Sequence, residues 1–396
     1  MSCHNAAIET AIRCSYGKLV AIIASRTGDV EGAEDAISDA VVAAVEQWPN
    51  QGIPNNPTAW LLTVARRRIV DEGRRSALRW SYHAEVASYI QEWSAQGISD
   101  AELPDERLTL MFACAHPAIA PAVRTALMLQ CVLGLSAERI ASAFLTSPSS
   151  MSQRLVRAKA KIRATGIALD VPHPRHLAAR LPFVADAIYA AFTTASIDLE
   201  AETLELARIM TSLMPEEKSL QGLLALLLFT HARRFARRSS DGMFIPLHEQ
   251  DPRQWDAEAL SEATEIVEGL MAAGHSDRYT IEAAIQHAHS VRFVGEATPW
   301  PLIVKLYDVL VARTSALGAA VARAVAVAEA SGPEHGLQAL DELPADRVRL
   351  YQPYWASRAH FYMQLGSEAQ ARVCSEKAIG LTQDPTVRAY LISQIP

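Results

Sequence analysis

The stretch SAERIASAFLTSPSSMSQRLVRAKAKIRAT, Ser136–Thr165, decides how this chain is read. Ser136 suits the N-cap of a short helix through Ala137-Glu138-Arg139-Ile140-Ala141, Leu145-Thr146 makes a turn, and Ser147-Pro148 places a capping hydroxyl before a proline at the first helical position. The second helix that starts there carries Met151, Leu155, Ala158 and Ile162 at helical spacing, an inward stripe that leaves Ser149, Gln153, Arg154, Arg157 and Lys161 outward. Between Glu138 and Asp170 there is no acidic residue, against six basic ones: Arg139, Arg154, Arg157, Lys159, Lys161 and Arg163. This is the pattern of a helix-turn-helix whose second helix enters a DNA major groove, early turns at base edges and later cations at phosphates. The same pattern also describes the solvated face of an ordinary αα-hairpin, and this segment alone does not decide between them.

Working outward, the N-terminal side adds two helices of opposite character. One begins near Val30, runs to Trp48 and is stopped by Pro49-Asn50-Gln51-Gly52; Glu31, Asp35 and Asp39 form an acidic stripe opposite Ala36, Ala40, Val41 and Val45. The next follows Pro54 and Pro57 and joins Trp60 to five arginines, Arg66, Arg67, Arg68, Arg74 and Arg75. An earlier helix spans about Ala6 to Ser25 and ends at Thr27-Gly28-Asp29. Residues 80–106 read as a linker, and Pro172-His173-Pro174 marks a boundary.

Beyond that boundary, helices of 12 to 20 residues by eye alternate with Gly or Pro, interrupted by a polar excursion from Arg233 to Asp256. Trp355, Ala359, Tyr362, Gly366, Ala371 and Ala378 fall on tetratricopeptide-type positions, and Gly332 precedes Gly366 by the 34-residue repeat length. Stacked helix pairs of this class leave a concave groove, which points to a binding or regulatory scaffold.

Composition sets the outer bounds. The chain has 396 residues, 50% hydrophobic, with a formal net charge of -7. Residues 1–170 carry 17 Lys plus Arg and 17 Asp plus Glu, so 20 and 27 of the totals of 37 and 44 lie beyond. The acidic excess therefore sits in the C-terminal part, and nucleic-acid binding must rest on local clusters. Five cysteines, odd in number and set among apolar residues, predict reduced thiols without disulfides. The N-terminus lacks a basic start followed by an apolar run, and no stretch of ~18 apolar residues is present to span a bilayer. A cytoplasmic protein without membrane contact is the expectation. Cys114 with His116, His173 with His176, and His287 with His289 lack zinc-site spacing, and no nucleophile context or phosphate loop stands out. No metal, no cofactor and no catalytic activity are expected.

Taken in order, Ala33-Glu34-Asp35-Ala36, Asn56-Pro57 through Ala65-Arg66, Leu103-Pro104-Asp105-Glu106-Arg107-Leu108 through His116-Pro117, and Met151 through Lys159 resemble an extracytoplasmic-function sigma factor. The later words His231-Ala232-Arg233-Arg234, Asp251, Trp255-Asp256 and Arg323 through Glu329 resemble the subgroup with a long helical-repeat extension. The resemblance implies an all-α chain with four parts: sigma region 2 at 1–79, the linker at 80–106, region 4 at 107–166, and a tetratricopeptide-like regulatory extension at 175–396. It implies that Glu31, Asp35 and Asp39 dock on core RNA polymerase. Trp60 and the five arginines would engage the -10 element of promoter DNA. Ser149, Ser150, Gln153 and Arg154 would lie nearest the base edges of the -35 element, with Arg157, Lys159 and Lys161 nearest its phosphates. The repeats would receive a regulatory protein. Two stretches depart from the family's pattern: Phe192–Ser196, where members carry Asn-Glu-Gly-Tyr, and Glu72-Gly73 inside the -10 helix. A sigma-like regulator that binds DNA or a protein but no longer recruits polymerase fits the same residues.

Overall fold

The computed structural model describes residues 3–75, 106–144, 146–170, 172–194, 197–382 and 384–395, and these are helical almost throughout. The expected linker at 80–106 falls outside the described residues except for Glu106. Two compact units emerge, residues 1–210 and 211–396.

The first unit opens with α1 (Cys3–Thr27), α2 (Val30–Gln51) and α3 (Pro57–Arg75). The turn between α1 and α2 is written locally. Gly28 takes φ +67 and returns its N–H to Ala24, and the Asp29 carboxylate caps α2 by accepting from the Gly32 N–H at 3.2 Å. Asn56 caps α3 the same way, accepting from the Ala59 N–H at 2.8 Å, with Pro57 as the first helical residue. α2 runs through Pro49 to Gln51, three residues past the expected stop, and Gly52 closes it by donating to the Trp48 carbonyl. Its buried stripe is Ala33, Glu34, Ala36, Ile37, Ala40, Ala44 and Trp48. Val45, expected inward, is 55% exposed beside Val42 at 56%, one position past buried Ala44 on the flank of the stripe. Gly73 sits within α3 without ending it.

Next come α4 (Arg107–Cys114), α5 (Pro121–Cys131), α6 (Ala137–Ala143) and α7 (Pro148–Thr165). Close approach of α1 to the end of α5 depends on Gly17, where a Cβ would lie 1.8 Å from the Val132 carbonyl oxygen. α8 (Pro174–Thr194) packs against α4 and α5, and α9 (Ile197–Leu213) lies against α4. Buried arginines make these joints. Arg180 donates to the Phe112 carbonyl at 3.1 Å, Arg124 donates to the Ile119 carbonyl and lies over the Phe183 ring, and Arg107 pairs with Glu202 at 2.8 Å and Glu205 at 2.9 Å. Residue 175, where the extension was expected to begin, thus lies within α8, inside the first unit.

The second unit continues with α10 (Lys218–Ala232), α11 (Ala257–Ala272), α12 (Arg278–Ser290), α13 (Trp300–Thr314) and α14 (Leu317–Ser331). It is completed by α15 (Pro333–Asp341), the short α16 (Ala345–Val348), α17 (Gln352–Gln364), α18 (Glu368–Leu381) and α19 (Pro385–Ser393). Alanine-rich α14 is buried on two sides. It gives Val321, Ala324 and Ala328 to a core shared with Leu340, Tyr354 and Phe361, and Ala326 to another formed by Ile281, Ile285, Ile303 and Leu310. Small side chains allow that double contact, which is how stacked helical repeats share faces. Gly332 and Gly366 occupy the α14–α15 and α17–α18 turns with φ of 104 and 69. The polar excursion holds only two short 3-10 turns, Leu247–Glu249 and Pro252–Gln254, and is pinned by arginines. Both terminal nitrogens of Arg234 donate to Asp256, which also caps α11, while Arg292 donates to the carbonyls of Leu247, His248 and Gln250.

Candidate nucleic-acid interface

α7 is built as its sequence dictates. The Ser147 hydroxyl accepts from the Ser150 N–H at 3.3 Å, Pro148 is its first residue, and Gly166 ends it in the left-handed region at φ 59. Met151, Leu155, Ala158 and Ile162 are buried, and burying each large one contributes about 1.5–3 kcal/mol toward holding the helix in place. Upstream, Ser136 caps α6 by accepting from the Arg139 N–H at 3.4 Å. Leu145, assigned to the turn, lies outside the described residues; the Thr146 N–H returns to the Ala141 carbonyl.

Ser149, Gln153, Arg154, Arg157 and Lys161 are exposed along one side of α7, and Ser150 is half-buried. Arg154, Arg157 and Lys161 edge a groove of about 500 Å³ that is also lined by Ala118 and Ile119 before α5 and by Ala122 and Val123 in its first turn. Lys159 departs from the expected phosphate-facing position. Its ammonium donates to Glu34 of α2 at 2.6 Å, and the two side chains are only 10% and 11% exposed. Burial disfavours the ammonium, yet the charge and hydrogen bond of Glu34 outweigh it and hold Lys159 above the ordinary lysine range. The other Glu34 oxygen is buried without a hydrogen-bond partner. Arg163, one turn on, lies 3.5 Å from Asp29 and 3.6 Å from Glu31. α7 and α2 are therefore joined by charge. The helix angle decides the outcome: Lys159 falls one position past buried Ala158, on the flank that meets α2.

The acidic residues of α2 divide accordingly. Glu31 is half-buried near Arg163; Asp39 pairs with Arg68 of α3 at 2.6 Å, both side chains about half exposed; Asp35 is exposed. On α3, Arg67 and Arg68 are exposed and Arg66 is half-buried. Trp60, expected to meet bases, is half-buried and packs edge-on against Trp48 with ring centroids 5.3 Å apart. The side chains of Arg74 and Arg75 lie outside the described residues. Glu34 is the residue that the sequence reading passed over. Its signal was its place on the buried stripe between Ala33 and Ile37, where an acid needs a partner.

Cys114, Cys131 and Cys374 are buried free thiols, and hydrogen bonding from Cys114 together with burial pushes the Cys131 thiol well up. No group of three or more His, Cys, Asp or Glu among the described residues is arranged to hold a metal ion. No helix among them is long and apolar enough to cross a membrane.

Residues 11–79 match sigma-70 region 2, residues 109–162 match sigma-70 region 4, and residues 180–271 match a family of unknown function, DUF6596. An uncharacterized protein of Rhizobium meliloti (strain 1021) is 34% identical over 377 residues, covering 92% of this chain and 89% of its own. No solved structure matches the chain. The region 2 match spans α1 to α3 and the region 4 match ends on α7, so the acidic helix, the arginine helix and the helix-turn-helix fall inside the two matched regions. The chain belongs to the sigma factors of the extracytoplasmic-function type, transcription initiation proteins with a DNA-binding helix-turn-helix, and it carries a C-terminal helical extension.

Proposed function

We propose that this protein recruits bacterial core RNA polymerase to promoters. The exposed side of α2, with Glu31, Asp35, Asp39 and the solvent-facing Val42 and Val45, docks on the polymerase. α3 engages the -10 element through Arg66, Arg67, Arg68, Arg74 and Arg75, with Trp60 beside them, and the outer face of α7 reads the -35 element. Ser149, Ser150, Gln153 and Arg154 address base edges; Arg157 and Lys161 meet phosphates, joined by Lys159 once α7 leaves α2. The observation that carries this reading is the one-sided display of Ser149, Gln153, Arg154, Arg157 and Lys161 on a helix anchored by four buried residues. Residues 175–396 modulate that activity and offer a surface to a regulatory protein. We test the core of this by transcription in vitro from a genomic promoter library with purified core polymerase. Initiation at a defined promoter set that depends on this protein is expected, and its absence on every template overturns the reading.

A second reading, a sigma-like regulator that binds DNA without recruiting polymerase, is favoured by one observation: Glu31 and Asp39 already lie against Arg163 and Arg68 in cis. Reversing the charge of Asp35 and Asp39 separates the two. Loss of core-polymerase pull-down with the fold intact supports recruitment; undiminished pull-down removes α2 as the docking face.

A further inference from the structure

The second unit contains a pocket of about 430 Å³ that neither the helix-turn-helix nor the polymerase face uses. It forms where the last helix meets the early excursion. Arg238 donates to the Thr386 hydroxyl at 3.2 Å, the Phe244 and Tyr390 rings meet edge-on at 5.7 Å, and the Tyr390 hydroxyl donates to Glu249 at 3.5 Å. Residues 141 and 148 positions apart are thereby joined, and the cavity lies in the seam between His248, α14, α17, α18 and α19.

Its lining has two chemical parts. Val325, Phe361, Met363 and Leu391 supply an apolar wall. Lining it as well are a carboxylate, Glu329, and two imidazoles, His248 and His360, all three exposed to solvent. The charge of Glu329 acts on His360, and the His248 ring lies 3.3 Å from Glu249. The Gln364 amide nitrogen lies 3.1 Å from His360 Nε2, a contact that suits a neutral ring with its proton on Nδ1. Ser357 and Gln394 add further hydrogen-bonding groups. A ligand carrying only a negative group would meet the like charge of Glu329, and one carrying only a positive group would make no use of His360. A molecule with an ammonium at one end and a carboxylate at the other satisfies both. The volume lies near the lower end of the range for small-ligand sites, room for one or two residues and not for a folded partner.

We infer that this pocket binds a free amino acid or a short peptide with an apolar side chain, its α-ammonium on Glu329, its carboxylate on His360 and His248, and its side chain on the apolar wall. Burial and then the neighbouring His248, against the opposing charge of Glu329, hold His360 below the ordinary imidazole range, so near neutral pH it meets the carboxylate as a neutral donor. Because the ligand touches α19, α17 and the excursion at once, its binding tightens the seam. The site does not depend on the promoter-recognition reading.

The experiment uses the full chain, with calorimetric titration and thermal unfolding in the presence of L-leucine, L-leucyl-L-leucine, N-acetyl-L-leucine and L-leucinamide. L-leucine or the dipeptide is expected to bind and raise Tm, and the tighter of the two assigns the source. Capping either end should weaken binding at least tenfold. Glu329→Gln should bring an equal loss for the ligands that keep the ammonium and none for N-acetyl-L-leucine. Failure of both free ligands to bind at millimolar concentration overturns the inference, as do capped ligands that bind as tightly as free ones. The comparison of ligands on the unaltered protein stands even if the variant does not fold.

Discussion

Glu34→Gln tests the joint between α2 and α7 without touching any outward-facing cation of α7. In the native contact the Lys159 ammonium and the Glu34 carboxylate meet at 2.6 Å with about a tenth of each side chain exposed. Removing one partner of a buried ion pair costs about 3–5 kcal/mol, because the surviving charge stays desolvated. The substituted amide would keep one hydrogen-bond acceptor but lose the charge, so the low end, about 3 kcal/mol, is the working figure. The remaining pairs from Arg163 to Asp29 and Glu31 are long, at 3.5 and 3.6 Å, and 46% exposed on the arginine side; exposed pairs of this kind contribute about 0–1 kcal/mol. They cannot hold the contact alone. At about 1.4 kcal/mol per tenfold, a loss of about 3 kcal/mol moves the balance between joined and separated helices by about a hundredfold. Hydrogen exchange of the α7 amides should therefore accelerate in the variant, and a duplex carrying the cognate -35 element, followed by fluorescence anisotropy, should bind at least tenfold tighter. Glu34→Leu combined with Lys159→Met removes both charges and should restore native exchange. Unchanged exchange and unchanged DNA affinity in the single variant would refute the reasoning.

Four further outcomes follow from named contacts. Gly17→Ala should lower the stability of the first unit by more than about 3 kcal/mol in urea unfolding, since its Cβ would overlap the Val132 carbonyl at 1.8 Å and backbone must move. A chain ending at residue 166 should unfold far more readily than one ending at Leu213, because it strips Glu202 and Glu205 from buried Arg107 and Arg180 from the Phe112 carbonyl; circular dichroism melts of the two truncations decide it. Arg154→Ala should change the ranking of promoter sequences, while Lys161→Ala should weaken all of them alike and reduce the salt slope by about one, measured by binding at several salt concentrations. In the second unit, burial first, then Arg233 and Arg292, lowers His289 to about 4. The unfolded chain thus takes up a proton near pH 6.5 that the fold refuses until about pH 4, so stability falls as pH drops through that window, and urea midpoints at pH 7.5 and pH 5 should differ in the native protein and differ less in His289→Gln, where the lowered His287 and His360 keep part of the dependence.

What the sequence determined by itself was everything that depends on neighbours within one or two helical turns. The Ser147-Pro148 start, the Gly166 stop and the two faces of α7 could be read from spacing, because capping and amphipathic periodicity involve residues at most four apart. Val45 shows the limit even at short range: it borders the buried stripe of Ala40, Ala44 and Trp48, yet it is 55% exposed. The partner of a charge is a different kind of fact. Lys159 and Glu34 stand 125 positions apart, Arg107 reaches carboxylates 95 and 98 positions away, and the pocket at His360 collects residues from the excursion, α14, α17, α18 and α19. None of these follows from a local pattern, because a buried charge takes whichever opposite charge the packed helices bring to it. Only the tertiary structure decided which cations of α7 face solvent and which face α2, and it placed α8 and most of α9 in the unit that bears the helix-turn-helix.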